Sequence, residues 1–254
     1  RRRLMAFMAA VIERRRNQPW PAVPEDFLGL MLHGQRADPE GLFTDALMAN
    51  QCLLQLWGAH YEITGLLASW MVQIGRHPEV RRRLEQELAA SLPGPVDALS
   101  LEDLRRLPYL DATINETLRT LPPSSTTTRR LTRPVVINGM LLRKGWGLIA
   151  EPRLVHGWER LYPDPGRFDP ERFLAGAAED RRYSFIPFGG GVHACLGAQL
   201  AMAITRVFAL HVLRSLAWQG QGEPRFDQFP LRMVKPGYRM RLQAITPHPS
   251  SAGS

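Results

Sequence analysis

Lysine is nearly absent from this chain of 254 residues: Lys144 and Lys235 are the only two, and the net charge of +8 is carried by arginine. That excess favours acidic partners. The arginine runs at 1–3, 14–16 and 81–83 lie beside apolar helical periodicity and not among aromatic-rich strands. They therefore argue against nucleic acid and for solvated helix faces or an acidic protein docked by charge. Cysteine is equally scarce. Cys52 and Cys195 sit in contexts too different for a disulfide framework, so a reducing compartment, the cytoplasm, is expected. Long apolar runs are missing too: none reaches the roughly 18 residues of a membrane span, and no signal-peptide pattern opens the chain. Against these absences, a hydrophobic content of 44% is ordinary for a globular protein and suffices for one large domain or two small ones. The first residue is Arg1 and the opening residues read as the middle of a helix, so further chain upstream is expected.

Helical periodicity dominates what is present. Leu4, Phe7, Met8, Val11 and Ile12 predict an amphipathic helix over 1–16, broken by three prolines between Asn17 and Pro24. A short helix is expected over 27–32. The longest helix is expected over 44–75, capped by Thr44 and apolar nearly all round, the pattern of a helix buried on most sides. Pro78 opens a charged helix over 79–90, Ser100 caps a short one to about Leu107, and another over 109–120 stops at Pro122 and Pro123. Residues 129–150 alternate and turn, with Val135 to Ile137, Asn138-Gly139 and Leu141-Leu142 reading as a small hairpin. Residues 157–192 are rich in Pro, Gly and Arg and carry little periodicity, which predicts a functional loop. A last long helix is expected over 196–217, then short strands, then a disordered Ser/Pro-rich tail over 243–254. The class is mainly α with minor β-sheet.

Chemistry concentrates at Phe188-Gly-Gly-Gly191-Val-His193-Ala-Cys195-Leu-Gly197. Glycines such as Gly189 and Gly191 let backbone approach a flat ligand closely. A cysteine entering a helix N-terminus gains amide hydrogen bonds and the positive dipole end, which stabilise a thiolate. Taken alone, Cys195 also fits a buried structural cysteine in a glycine-rich turn. A zinc site built on Cys195 and His193 would need four ligands, and Cys52 lies far away on another helix. A phosphate cradle at the glycines would need a Gly-Lys-Ser/Thr continuation that the sequence lacks. Two further patterns stand upstream in order. Glu116-Thr-Leu-Arg119 is an i, i+3 pair that by itself reads as an ordinary surface salt bridge. Phe168-Asp-Pro-Glu-Arg172-Phe173 follows it.

In order and spacing these three segments resemble the cytochrome P-450 family: its haem-binding loop, its Glu-x-x-Arg helix, and the segment whose arginine completes a Glu-Arg-Arg network. The resemblance runs from Arg1 to Leu242, about the second half of a typical member. It implies the family's mainly α-helical fold with minor β-sheet, with 1–254 as its C-terminal haem-binding portion and the N-terminal half missing. It implies haem b (iron protoporphyrin IX) as cofactor, with Cys195 as the thiolate ligand of the iron and Phe188, Gly189, Gly191 and Gly197 forming the loop around it. Such ligation donates electron density that favours O–O cleavage. Arg129 and His193 resemble the residues that pair with the haem propionates, and Glu116, Arg119 and Arg172 would hold the irregular segment in place. His156 through Tyr162-Pro163 fits the family's pattern as a structural element. Details of the motifs look closest to the bacterial relatives of retinoic-acid hydroxylases. The implied activity inserts one oxygen atom of O₂ into an apolar small molecule of terpenoid, retinoid, fatty-acid or polyketide-like type. Electrons would come from a ferredoxin-like or flavin donor. The alternatives are a haem-binding fragment without catalysis and a peroxide-using variant.

The resemblance further implies that the long helix passes over the haem with an acid–alcohol pair for proton delivery. Counting back from Arg76-His77-Pro78 places Tyr61 at the acid and Glu62 at the alcohol, and a shift of one makes Glu62 the acid but puts Ile63 beside it. Neither register gives the pair. Ala59, Tyr61 and Glu62 remain the candidates, with Glu62 as proton carrier because a buried acid is costly unless paired, protonated or hydrated. Glu62 could also pair with an arginine or face solvent, and His60 reads as an ordinary helix histidine. Ala59, Leu66, Leu121 and residues 124–128 are expected to line the apolar substrate side.

Overall fold

Helices begin where the sequence offers a cap or a proline. The computed structural model describes residues 1–92, 99, 100, 102–124, 126–174, 183–227 and 231–245, and the chain falls into two units, Arg1–Tyr61 and Glu62–Ser254. In the first unit, α1 (Arg2–Arg16) ends at Asn17, ahead of the prolines, and α2 (Phe27–Arg36) is capped by the Asp26 carboxylate, which accepts from the Gly29 amide at 2.7 Å. The Thr44 hydroxyl accepts from the Leu47 amide at 3.2 Å and opens α3 (Asp45–Arg76). Met8, Ile12, Met31, Leu32, Met48, Ala49 and Cys52 form this unit's core. Leu4 and Phe7, expected on the apolar face of α1, are exposed.

The expectation that α3 is buried on most sides does not hold. In the first unit only the Met48, Ala49 and Cys52 face is covered, while Leu47, Leu54, Leu56 and Trp57 are exposed. In the second unit the same helix buries Leu66, Ser69, Trp70, Val72 and Ile74. A helix that is apolar all round shows which faces could be covered, not which neighbours cover them.

The second unit is organised around α5 (Pro108–Thr120), most of whose side chains are buried. Pro108 stands at its first position and no residue of its own caps it. Instead Glu87, on α4 (Pro78–Ser91), accepts from the Tyr109 and Leu110 amides at 2.7 and 2.9 Å, capping the helix from a neighbour. Burial still pushes the Glu87 carboxyl up, against the pull of those two amides. Ahead of α5, Ser100 and Asp103 exchange hydrogen bonds at the start of a 3-10 turn, Asp103–Arg106. From α3 the Trp70 indole donates to Thr113 at 3.0 Å. From α7 (Ala198–Ser215) Arg206 grips Asp111 with two bonds of 2.6 and 2.8 Å.

Three two-stranded antiparallel sheets complete this unit: β1 (Thr127–Arg130) with β4 (Gly147–Ala150), β2 (Val135–Ile137) with β3 (Met140–Leu142), and β5 (Leu216–Gln221) with β6 (Arg239–Ala244). The hairpin between β2 and β3 turns at Asn138-Gly139, both at positive φ, 49° and 78°, as a two-residue turn of this kind requires. The last helix, expected over 196–217, is shorter at both ends. Gly197 precedes it, and Leu216 leaves the helical region to pair in β5. The tail expected to be disordered from 243 begins instead with Gln243 and Ala244 in β6, and its residues from 246 lie outside those described.

Candidate functional site

Glu116 and Arg119 face one way from α5, one helical turn apart, and both are buried, Glu116 completely. Arg119 Nε and Nη2 donate to the two Glu116 carboxylate oxygens, both at 2.7 Å. The rest of the guanidinium fork donates to the carbonyls of His156 and Pro165 at 2.9 Å and Arg167 at 3.0 Å. Glu116 also accepts from the Asp169 amide at 2.9 Å. Burial pushes the Glu116 carboxyl up, and the Arg119 fork and the Asp169 amide oppose it. The surface salt bridge that this pair resembles when read alone is thus a buried clamp on residues 156–169. Arg172 joins the pair through charge and through the loop backbone. Its Nε lies 3.7 Å from Glu116, an ion-pair distance too long for a hydrogen bond, and its Nη2 donates to the Asp164 carbonyl at 3.0 Å. The join between helix and loop is made by Arg119, because its fork reaches five acceptors.

The clamped segment leads to the cysteine loop. α6 (Pro152–His156) ends at His156, whose ring Nε2 accepts from the Ile186 amide at 3.0 Å, and the Tyr162 hydroxyl donates to the Ser184 carbonyl at 3.1 Å. These contacts were not legible in the motifs. Their signal in the sequence, His156 through Tyr162 at family spacing, points to a structural element but not to its partner. Phe185 and Phe188 then pack against the main core. Gly189 and Gly191 adopt φ of +71° and +68°, turning the chain back so that the Cys195 amide donates to the Phe188 carbonyl at 2.9 Å. A 3-10 turn, Gly191–His193, lies between. Cys195 was expected to enter a helix N-terminus; α7 starts three residues later, at Ala198, so the loop rather than the helix end holds the cysteine.

Cys195 is exposed, which removes the structural-cysteine alternative. Val192 beside it is 97% exposed and Leu196 82%, and Leu200, Ile204 and Val207 continue an open apolar face along α7. A Cβ placed on Gly191 would meet nothing within 4 Å. A bare apolar surface of this extent around a thiol is the surface that a broad, flat, mostly apolar ligand covers. A soft sulfur donor suits its iron, and cations suit an anionic edge. Haem fits these residues. His193 lies exposed in the same loop, and Arg129 stands on β1, whose first residue Thr127 approaches Gly189 with its hydroxyl. Arg129 donates to the Thr128 carbonyl at 2.8 Å, and among the described residues no carboxylate pairs with it or with His193. No group of three or more His, Cys, Asp or Glu able to hold a metal occurs among the described residues. No helix there is long and apolar enough to cross a membrane.

The α3 candidates are less uniform. In the first unit Ala59 is exposed and Tyr61 is 41% exposed, with its ring 5.7 Å from Trp57 and 5.3 Å from His60. In the second unit Glu62 is half-buried, and that burial pushes its carboxyl up. Leu66 and Leu121, expected to line the substrate side, are both buried. Ser124 bridges to Leu231, and residue 125 lies outside those described.

Known proteins share this fold. The cytochrome P-450 family model matches residues 1–242. A putative cytochrome P-450 120 of Synechocystis sp. is 33% identical over 220 residues, 85% of this chain and 48% of that protein. Cytochrome P-450 26A1 of Xenopus laevis is 33% identical over 214 residues, 82% of this chain and 43% of that protein. A solved structure, retinoic-acid-bound cyanobacterial CYP120A1, superposes with a TM-score of 0.85 at 29% identity, covering 95% of this chain and 55% of that one. The chain spans about half the length of the curated relatives it matches. Haem is the cofactor of these proteins, and by sequence and by fold alike the chain belongs to the cytochrome P-450 family.

Proposed function

We propose that this chain is the C-terminal haem-binding portion of a monooxygenase, with Cys195 as the thiolate ligand of the haem iron. The observation that carries this is an exposed cysteine whose amide is fixed to the Phe188 carbonyl, after a turn through two left-handed glycines, Gly189 and Gly191, and beside an open apolar face. When bound, haem supplies the activation of O₂: with two electrons and two protons, one oxygen atom enters a substrate C–H bond and the other leaves as water. The protein's part is to hold, orient and protonate. Phe188, Gly189, Gly191 and Gly197 shape the loop so that the Cys195 sulfur faces outward, and Arg129 and His193 take the anionic edge. Glu116 and Arg119, with Arg172 outside them, keep residues 156–169 in register behind the loop. Glu62 carries the proton: it is the half-buried acid of the long helix, and burial pushes its carboxyl up.

The substrate is an apolar small molecule of retinoid, terpenoid or fatty-acid type, in line with the retinoic acid bound in the CYP120A1 structure. The electron donor is an acidic ferredoxin-like or flavin protein attracted by the net charge of +8, and the working compartment is the cytoplasm. A peroxide-driven form of the same reaction is the second reading, favoured by Ile63 standing where an alcohol would follow Glu62. Turnover of a retinoid panel under ¹⁸O₂ separates them. One ¹⁸O atom per hydroxylated product is expected. Haem-loaded protein whose product takes oxygen only from added peroxide supports the second reading, and one that gives no product leaves a binding protein.

A further inference from the structure

The reaction just described makes no use of His156, a side chain only 1% exposed at the end of α6. Its ring lies 5.3 Å from Phe185 and stands edge-on to Tyr162 at 6.4 Å. Two bonds make it a junction. Its carbonyl accepts from Arg119 at 2.9 Å, and its Nε2 accepts from the Ile186 amide at 3.0 Å. An acceptor at Nε2 places the ring proton on the buried Nδ1. Burial pushes the ring down to about 4 against the pull of a hydrogen bond to the Arg119 backbone, so it is neutral and able to accept at neutral pH. The charged and titratable groups around it are Arg119 and Glu116 from α5 and the Tyr162 phenol. Beyond Ile186 the connection continues: its carbonyl accepts from the Gly189 amide at 3.1 Å, and the Phe188 carbonyl accepts from the Cys195 amide.

We propose that His156 is a positioning residue for Cys195: its ring ties residues 186–188 of the ligand loop to the Glu116–Arg119 pair and so fixes where the sulfur stands. This rests on Cys195 being the haem ligand. Partners behind a ligand orient it and decide how well it binds. An amide that loses its acceptor lets this limb of the loop move, while the ion pair behind it stays intact.

The test compares His156→Leu, which removes the acceptor, with His156→Gln, whose Oε1 stands near the place of Nε2, in the haem-loaded protein. The ferrous carbon monoxide spectrum gives the share of haem with a thiolate-type rather than a thiol-type Soret band. The Leu variant is expected to lose about fivefold in the ratio of the two forms and the Gln variant to stay within about twofold of wild type, the effect of one hydrogen bond. A Leu variant with the wild-type ratio overturns the proposal. So does a folded Gln variant that loses as much as Leu, since ring packing and not the acceptor would then matter. If the Leu variant does not fold, hydrogen exchange in the wild type decides: an Ile186 amide exchanging as fast as a solvent-exposed loop amide overturns the proposal, and protection upholds it. Wild-type protein that binds haem without a thiolate band removes the ligand assignment itself, a failure distinct from a normal wild type beside a normal Leu variant.

Discussion

At Glu62 the proposed route of protons rests on the burial of a single carboxyl. Its carboxyl is raised by burial alone, and the residue after it is Ile63. Replacing Glu62 with Gln keeps size and polarity but removes the ionisable proton. Turnover driven by O₂ and reductant is expected to fall by roughly 100-fold, the usual weight of a positioned acid, with peroxide-driven turnover changed far less. Equal losses in both assays would make Glu62 structural, and no loss in either would leave water as the proton source. Cys195, Glu116 and Arg119 were legible in the sequence because each lies in a short motif whose spacing survives without knowledge of the fold. The Ile186 contact of His156 was not, since the two residues are 30 apart and only the fold brings them together. Arg172 was legible as well, as the third charge of the network with Glu116 and Arg119. A motif names the residue but not the 3.7 Å that keeps its Nε out of the hydrogen-bonded clamp.

Among the elements, α5 carries the second unit. It is capped by Glu87, tied to α3 through Trp70 and Thr113 and to α7 through Asp111 and Arg206, and it clamps residues 156–169 through Arg119. Arg119→Lys retains a charge but cannot serve both Glu116 oxygens and three carbonyls with one ammonium group. The change is expected to destabilise the protein by about 3 kcal/mol, the scale of a buried pair with one partner compromised, read as a lowered urea midpoint at constant slope. A loss under about 1 kcal/mol, the worth of a surface pair, would mean that the clamp is not tight in solution. Helix positions were readable from periodicity, and the Thr44 and Asn138-Gly139 signals fell where the structure uses them. Periodicity misplaced the end of α7, because the pairing of Leu216 with Ala244 depends on a strand more than 20 residues away. It also overstated the burial of α3, whose exposed Leu54, Leu56 and Trp57 are as apolar as its buried residues.

For the whole molecule, family membership rests on a match over residues 1–242 and on a superposition covering 95% of the chain. The mainly helical class was visible in the sequence, and so was the glycine-rich loop around Cys195. The open apolar face from Val192 to Val207 was not, because apolar residues on a helix ordinarily signal core. That face and the exposed Cys195 thiol lead to one claim, that haem iron here is bound by sulfur. The ferrous carbon monoxide spectrum of the haem-loaded protein, recorded beside that of Cys195→Ala, tests it most directly. The account predicts the red-shifted Soret band of thiolate ligation in the wild type and its loss in the variant, and a variant that keeps the band would contradict it.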